Sequence, residues 1–205
     1  MLRYLILVSL YCFVHFLTEH ILITDDIVYN SFIDRLSYDR ISEILARGKE
    51  WKWLQYLSLP IILIIKISFK ATCLSIGGLI LNIETGFKKF FSAAITGEFV
   101  FLIPSFIKLL WFGFIKTNYT LQDLQYFSPL SAIGLFNPTE LDPWFVYPIQ
   151  LLNLFEVLYW VVLAYQLKPV LNEDFSGSLG FVGRTYGVGL VIWVILVMFL
   201  TVSIS

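Results

Sequence analysis

The sequence predicts an all-α, polytopic membrane protein with about five transmembrane helices and an amphipathic segment outside the hydrocarbon. Of its 205 residues, 58% are hydrophobic and 14% are charged, whereas a soluble domain is roughly 45–50% apolar and about a quarter charged. Its apolar runs are also of the length that spanning helices need, roughly 20 residues. So few charges cannot cover a water-exposed surface. Residues 1–205 are therefore expected to form a single membrane domain.

The first apolar run is LRYLILVSLYCFVHFL, residues 2–17. It is short for a span and begins beside Arg3, as a signal peptide would. No small-residue cleavage site follows it, however, so we interpret it as a retained first span.

Residues 18–52 form the one long polar segment near the start of the chain. Apolar side chains recur in it at near-helical spacing, and Thr24 precedes two aspartates as an N-cap precedes an acidic first turn. We expect amphipathic helix here, lying on the membrane surface or covering the helix bundle. With few apolar residues for a core, the segment is not expected to fold as a separate domain.

The second apolar run covers residues 53–83. As one helix it would be about 46 Å long, more than the ~30 Å hydrocarbon core, so it must tilt, break or project. Lys66 and Lys70 interrupt it at i, i+4 and therefore share one face. Pro60 and a Gly-Gly pair are its weak points. The sequence leaves open whether this run is one helix or a broken one.

Three further runs complete the predicted bundle. The third covers residues 90–115, and its Pro104 predicts a kink because proline lacks the N–H that a helix requires. A long loop over residues 116–144 follows. The fourth run covers residues 145–167 and the fifth covers residues 179–204.

Two stretches resemble a known family of membrane proteins. GFKKFFSAAITGEFVFLIPSFIKLLWF, residues 86–112, is similar to a stretch of the Yip family (Ypt/Rab-interacting polytopic membrane proteins), in which a Gly-Phe-Lys-type turn leads into a span with a central Leu-Pro or Ile-Pro. SPLSAIGLF and then LDPWFVYPIQLLNLFEVLYWVVLAYQL, residues 141–167, resemble the same family's next span. A final span entered through small residues is similar too, so the resemblance covers residues 86–205.

The resemblance implies five spans, a polar N-terminus and no enzymatic chemistry. Eukaryotic members of the family bind small GTPases and act in vesicle traffic, and this chain resembles the bacterial type. It departs from the family by placing an apolar run before its polar segment, so no functional residue is carried over. The expectation is a non-enzymatic scaffold or interaction protein of a bacterial inner membrane, without cofactor or catalytic residue.

The expected partners of such a protein are the lipid bilayer and other membrane proteins or a second copy of the chain. The net charge of −1 gives no basic field that would attract nucleic acid. The two cysteines form no C-x-x-C, and the two histidines form no H-E-x-x-H, so no metal site is expected.

Two glutamates, Glu98 and Glu156, lie inside apolar runs. A charge near the centre of a spanning helix costs about 2.5–3.5 kcal/mol on insertion scales, so each must face protein, water or an opposite charge. In one interpretation both are interhelical locks. Glu98 would pair with a lysine of the second run, either Lys66 or Lys70. Glu156, which should share a helical face with Asn153, would pair with Arg184 or Lys108.

The alternative interpretation is a small transporter, or a subunit of one, that uses Glu98 and Glu156 as its ion pathway. No discontinuous-helix repeat is evident in the sequence, which argues against transport. The two interpretations differ in structure. A water-accessible cavity shared by both glutamates favours transport, whereas separate burial against a cation or a backbone donor favours a scaffold.

Glycines open the fifth run in the stretch GSLGFVGRTYGVG. Gly180, Gly183 and Gly187 are spaced at i, i+3 and i+7, which places them on one face of an α-helix. In lipid, glycines allow helix backbones to approach closely. We expect this face to pack, either within the chain or across a dimer.

Overall fold

In the part of the chain that the structure describes, five helical segments are long and apolar enough to cross a membrane. The computed structural model describes residues 1–137 and 140–204, and within them the predicted all-α fold is confirmed, with no strand beyond one isolated bridge. We number the segments as spans 1 to 5: Leu2–Leu22, Lys52–Ile80, Phe87–Ile115, Leu154–Leu171 and Phe175–Ser203.

The helices within and between these spans are numbered in chain order. They are α1 Leu2–Leu17, α2 Asp25–Phe32, α3 Tyr38–Glu50, α4 Lys52–Ile80, α5 Phe87–Glu98, α6 Leu102–Leu110, α7 Leu121–Tyr126, α8 Pro143–Leu151, α9 Leu154–Leu171, α10 Phe175–Val182 and α11 Val188–Ile204. Wider π-helical turns occupy Thr18–Leu22, Trp111–Ile115 and Gly183–Gly187, and tighter 3₁₀ turns occupy Phe99–Phe101 and Ala132–Leu135.

Span 1 is longer than the sequence predicted, because a π-helical turn carries it from Leu17 to Leu22. The amphipathic segment therefore begins after Leu22. Its α2 starts as predicted at Thr24, whose side-chain oxygen accepts a hydrogen bond from the N–H of Ile27. The side chain of Ile41 in α3 is fully buried.

The amphipathic segment contacts the loop between spans 3 and 4. The backbone N–H of Leu121 donates to Ser31 Oγ over 3.3 Å, and the hydroxyl of Tyr119 donates to the carbonyl of Leu22 over 3.2 Å. The end of span 1 and the helices that follow it are therefore tied to this loop.

Span 2 is a single helix, α4, which continues through Pro60. This resolves the choice that the sequence left open. At 29 residues its length is about 44 Å, so it tilts within or projects from a ~30 Å core. Close packing fixes its C-terminal end: a Cβ added to Gly78 would lie 3.0 Å from the ring of Phe90, and one added to Gly77 would clash with Thr185.

Span 3 changes helix type where the sequence predicted a kink. The 3₁₀ turn Phe99–Phe101 separates α5 from α6 and ends three residues before Pro104. Proline has no N–H to offer the carbonyl four residues earlier, that of Val100, and the tighter turn forms at this carbonyl.

The predicted fourth helix over residues 145–167 is wrong, because the structure divides it into α8 and α9 at Leu152 and Asn153. Asn153 has an extended backbone, and its side-chain oxygen accepts the N–H of Glu156 over 2.8 Å. Asparagine favours this N-cap position over a helix interior. Asn153 and Glu156 therefore do not share a helical face, as the sequence suggested; Asn153 begins the helix that carries Glu156.

The helix α8 continues along span 5 beyond the break. The indole N–H of Trp193 in α11 donates to the hydroxyl of Tyr147 in α8 over 3.0 Å. Since α9 packs against the earlier part of span 5, α8 and α9 together form a broken helix beside it.

Residues of the loop over 116–144 satisfy the backbone at this break. The N–H of Ala132 donates to the carbonyl of Leu152 over 2.9 Å, and the N–H of Leu154 donates to the carbonyl of Leu130 over 3.1 Å. The hydroxyl of Ser131 contacts two carbonyls in the last turn of α8. An interrupted helix at membrane depth is tolerated where protein supplies such partners. The loop is thus part of the bundle and also contains α7.

The helix α7 depends on a capping box. Thr120 Oγ1 accepts the N–H of Asp123, and Asp123 accepts the N–H of Thr120 over 2.9 Å and pairs with Lys116 over 2.8 Å. The hydrogen bond from Lys116 holds the pKa of the Asp123 carboxyl below its usual range. Stability from this carboxylate is therefore present above its ordinary pKa and is lost as the pH falls through the lowered value.

We expect Asp123→Asn to speed hydrogen exchange of the α7 amides about fivefold at neutral pH, since a lost N-cap interaction costs about 1 kcal/mol. The difference from the wild-type protein should shrink as acid protonates Asp123. The exposed Gln125→Ala, in the same helix, is the control and should leave exchange unchanged. A difference that persists undiminished at acid pH would contradict the assignment.

Candidate functional site

A buried ion cluster joins spans 2 and 3. Glu98, the last residue of α5, has no exposed surface. Lys66 Nζ lies 2.7 Å from Glu98 Oε1, and Lys70 Nζ lies 2.7 Å from Oε2. The pairing expected from the sequence is present, and it uses both lysines. Their i, i+4 spacing places both on the same face of α4, so each carboxylate oxygen receives one ammonium group.

Aromatic rings surround the ammonium group of Lys70. Lys70 is 5% exposed, and its Nζ lies 4.0 Å from the ring centre of Tyr159 and 4.5 Å from that of Phe101. The faces of these rings attract a cation, most strongly where water is excluded. Lys66 differs, because 45% of its side chain is exposed. The charge of Lys70 is therefore neutralised inside the protein, whereas Lys66 reaches its surface.

Glu156 lies in the first turn of α9 and is 8% exposed. Its Oε1 accepts hydrogen bonds from the hydroxyl of Tyr186 over 2.7 Å and from the indole N–H of Trp160 over 3.0 Å. Its partners are thus uncharged aromatic side chains of spans 4 and 5.

The predicted pairing of Glu156 with Arg184 or Lys108 is wrong. Lys108 Nζ donates to the carbonyl of Leu124 over 2.5 Å, so it ties α6 to α7. Arg184 is exposed and forms no ion pair within residues 1–137 and 140–204. The helix break explains the difference, because it places Glu156 at the start of α9, where it meets Tyr186.

The two carboxylates lie on either side of a tyrosine pair. The rings of Tyr159 and Tyr186 meet edge to face with their centres 5.3 Å apart. Lys70 Nζ contacts the first ring and lies 5.9 Å from the centre of the second, whose hydroxyl bonds Glu156. Lys70, Glu98 and Glu156 therefore share one buried region, which Lys66 reaches from the surface, and the four formal charges cancel.

Glycines of span 5 pack within the chain, against Trp160. A Cβ added to Gly187 would lie 2.7 Å from Trp160 Cη2, and one added to Gly183 would lie 3.6 Å from Cζ3. Gly180 has open space instead, so the prediction of one face with all three glycines is wrong. Gly180 lies earlier, in α10, whereas the π-helical turn Gly183–Gly187 carries the two glycines that contact Trp160. The contact also positions Trp160 for its bond to Glu156.

The aromatic members of the site were missed from the sequence. Tyr159, Tyr186 and Phe101 have the composition of ordinary core residues, and no spacing rule distinguishes them. One signal was available: Gly97 directly precedes Glu98, and a Cβ there would lie 2.6 Å from the ring of Tyr159. A glycine beside a buried charge in a span marks a close approach by a neighbouring side chain.

Glu156 lines a groove that Glu98 does not reach. A groove of about 750 Å³ reaches Asn153, Glu156 and Trp160, and its lining does not include Glu98. A second cavity of about 540 Å³ lies at the end of α9 beside Lys168 and Glu173. Within residues 1–137 and 140–204, no group of three His, Cys, Asp or Glu side chains is arranged to hold a metal ion.

Comparison of the chain with family models, curated proteins and solved structures finds no match. The resemblance to the Yip family thus stays a prediction, and the chemistry of the buried groups provides the evidence about function.

We expect Glu98→Leu to lower the free energy of unfolding by about 3–5 kcal/mol, because it leaves Lys70 buried without its anion. Thermal unfolding in detergent measures the loss. Replacing the partner as well, in Glu98→Leu with Lys70→Met, should recover most of it. Lys66→Met is the matched control and should cost less, because that side chain is half exposed. Equal melting temperatures for Glu98→Leu and the wild-type protein would contradict the assignment.

Substitution of Glu156 should show a graded effect. Glu156→Gln keeps an acceptor oxygen for Tyr186 and Trp160 and should unfold near the wild-type temperature. Glu156→Leu leaves the buried hydroxyl of Tyr186 unpaired, which costs about 1–3 kcal/mol, and removes the acceptor of the half-buried Trp160 N–H. Tyr186→Phe removes one donor and should have a smaller effect than Glu156→Leu. If all three variants unfold at the wild-type temperature, Glu156 does not hold spans 4 and 5 in place.

Proposed function

We propose that the chain is a non-enzymatic integral membrane scaffold or interaction protein of Yip type, with a role in membrane organisation or traffic. The observation that carries the proposal is the burial of Glu98, which has no exposed surface and contacts two lysine ammonium groups. A carboxylate that carries ions must reach water from the two sides in turn. A carboxylate that is neutralised by lysines in a packed core instead holds the helices in a fixed arrangement.

The outward surface of the spans supports an interaction role. Between 17% and 33% of the residues in the apolar part of each span are buried within the chain. Large side chains such as Leu79, Phe114 and Ile192 are 61–80% exposed. These faces are available to lipid, to other membrane proteins or to a second copy of the chain. Helical rather than barrel-type spans fit the proposed location, a bacterial inner membrane.

A small transporter, or a subunit of one, is the second candidate, and the helix break directly before span 4 favours it. Transporters use discontinuous helices to build sites near the middle of the bilayer. The sequence did not reveal this break, and it lies directly before Glu156. Against transport, Glu98 lies outside the groove that Glu156 lines.

Proton flux into vesicles separates the two functions. The purified protein, reconstituted in vesicles with an imposed pH gradient, should give the same flux as Glu98→Gln and Glu156→Gln. The exposed Glu173→Gln is the matched control for loss of a carboxylate. Flux that falls in both intramembrane variants but not in the control would support the transporter and contradict the scaffold.

Crosslinking in intact cells gives the positive test. A photoreactive residue placed at Phe114 or Ile192 should repeatedly give the same membrane-protein adduct, either a partner or a second copy. Neither Phe114 nor Ile192 lines the groove beside Glu156, and both side chains are exposed on the outside of the bundle. Adducts with lipid alone at both positions would contradict an interaction role.

A further inference from the structure

An apolar groove runs beside the helix break directly before span 4. Its volume is about 750 Å³. Val157 and Val161 of α9 form one wall, Leu179 and Leu190 of span 5 form the other, and Leu130 and Leu152 lie at the break. Val157 is 59% exposed and Leu152 is 70% exposed, so the groove opens to the side, toward the hydrocarbon of the bilayer.

The polar groups in the groove leave one acceptor unused. The side-chain oxygen of Asn153 accepts the N–H of Glu156, and its amide group donates to the carbonyls of Gln150 and Leu151. The indole N–H of Trp160 donates to Glu156. Both side-chain hydrogen bonds of Glu156 end on Oε1. In the described part of the chain Oε2 accepts none, although the residue is more than nine-tenths buried.

We propose that the groove binds a neutral, hydroxyl-bearing lipid drawn from the bilayer. The hydroxyl group bonds Glu156 Oε2, and the hydrocarbon chain lies between Val157 and Leu190. The size and lining fit this class of ligand, because small-molecule sites have volumes of roughly 300–1,000 Å³ and combine an apolar lining with a few fixed polar groups. Binding does not depend on the proposed scaffold role.

The chemistry of the groove selects the head group. A phosphate would meet the carboxylate of Glu156 and be repelled. A zwitterionic head group stays at the membrane surface, whereas Glu156 bonds Tyr186, which lies near the middle of span 5. A pure hydrocarbon leaves Oε2 unpaired, which is costly in an apolar site. A hydroxyl both donates and accepts, so it pairs with a carboxylate or a carboxylic acid.

Photolabelling of the reconstituted protein tests the site. The probe is a long-chain alcohol with a diazirine in its hydrocarbon chain, added to phosphatidylcholine vesicles that contain the full chain. Mass spectrometry of the digest should locate adducts on the segment with Val157 and Val161. Unlabelled alcohol should compete, and the alkane of equal length should need a roughly tenfold higher concentration, which corresponds to about 1.4 kcal/mol. Equal competition by the two would overturn the role of Glu156.

Two tryptophan substitutions provide the structural control. Val157→Trp fills the groove and should abolish labelling. Val191→Trp adds the same ring at a 58% exposed position of α11 that does not line the groove, and labelling should persist. Labelling that survives Val157→Trp would overturn the proposal. Absence of labelling in the wild-type protein would overturn it too. If Val157→Trp then also changed the oligomeric state, the groove would hold a partner helix instead.

Discussion

The structure depends on one constraint: inside hydrocarbon, the polar groups of the backbone need partners within the protein, and a buried charge needs an opposite charge or hydrogen-bond partners. Three irregular points in the spans obey it. The 3₁₀ turn before Pro104 adjusts the backbone where proline offers no N–H. At the break directly before span 4, loop residues Leu130 and Ala132 pair with the freed backbone groups. The carboxylate of Glu98 pairs with two lysines rather than one.

Polar contacts also specify how the spans are arranged. Between helices in lipid there is no hydrophobic driving force, since the lipid chains are as apolar as leucine. A bundle held by apolar contacts alone could therefore slide or rotate at little cost. Here Glu98 joins span 3 to span 2, and Tyr186 joins span 5 to Glu156 on span 4. The tyrosine pair then connects these two contacts, so four of the spans meet in one buried region.

The sequence predicted the class of fold, the number of spans and the ion pair of Glu98, because each follows from a strong local pattern. Long apolar runs require spans, and two lysines at i, i+4 present one cationic face to a buried acid. It did not predict the partners of Glu156, since they are neutral aromatic side chains and no charge rule finds them. The helix break was missed although Asn153 precedes Glu156 by three residues, a typical start of a helix. The continuous apolar run concealed that signal.

The π-helical turn at Gly183–Gly187 gives span 5 two differently oriented halves. Such a turn holds one residue more than an α-helical turn, and each residue of an α-helix advances by roughly 100° around the axis. The wider turn therefore rotates α11 relative to α10 about their common axis. With α10 directed at α9, this rotation lets α11 present Trp193 to Tyr147 of α8. Deleting one residue there would keep the length of the span almost unchanged but turn the face of α11 away from α8.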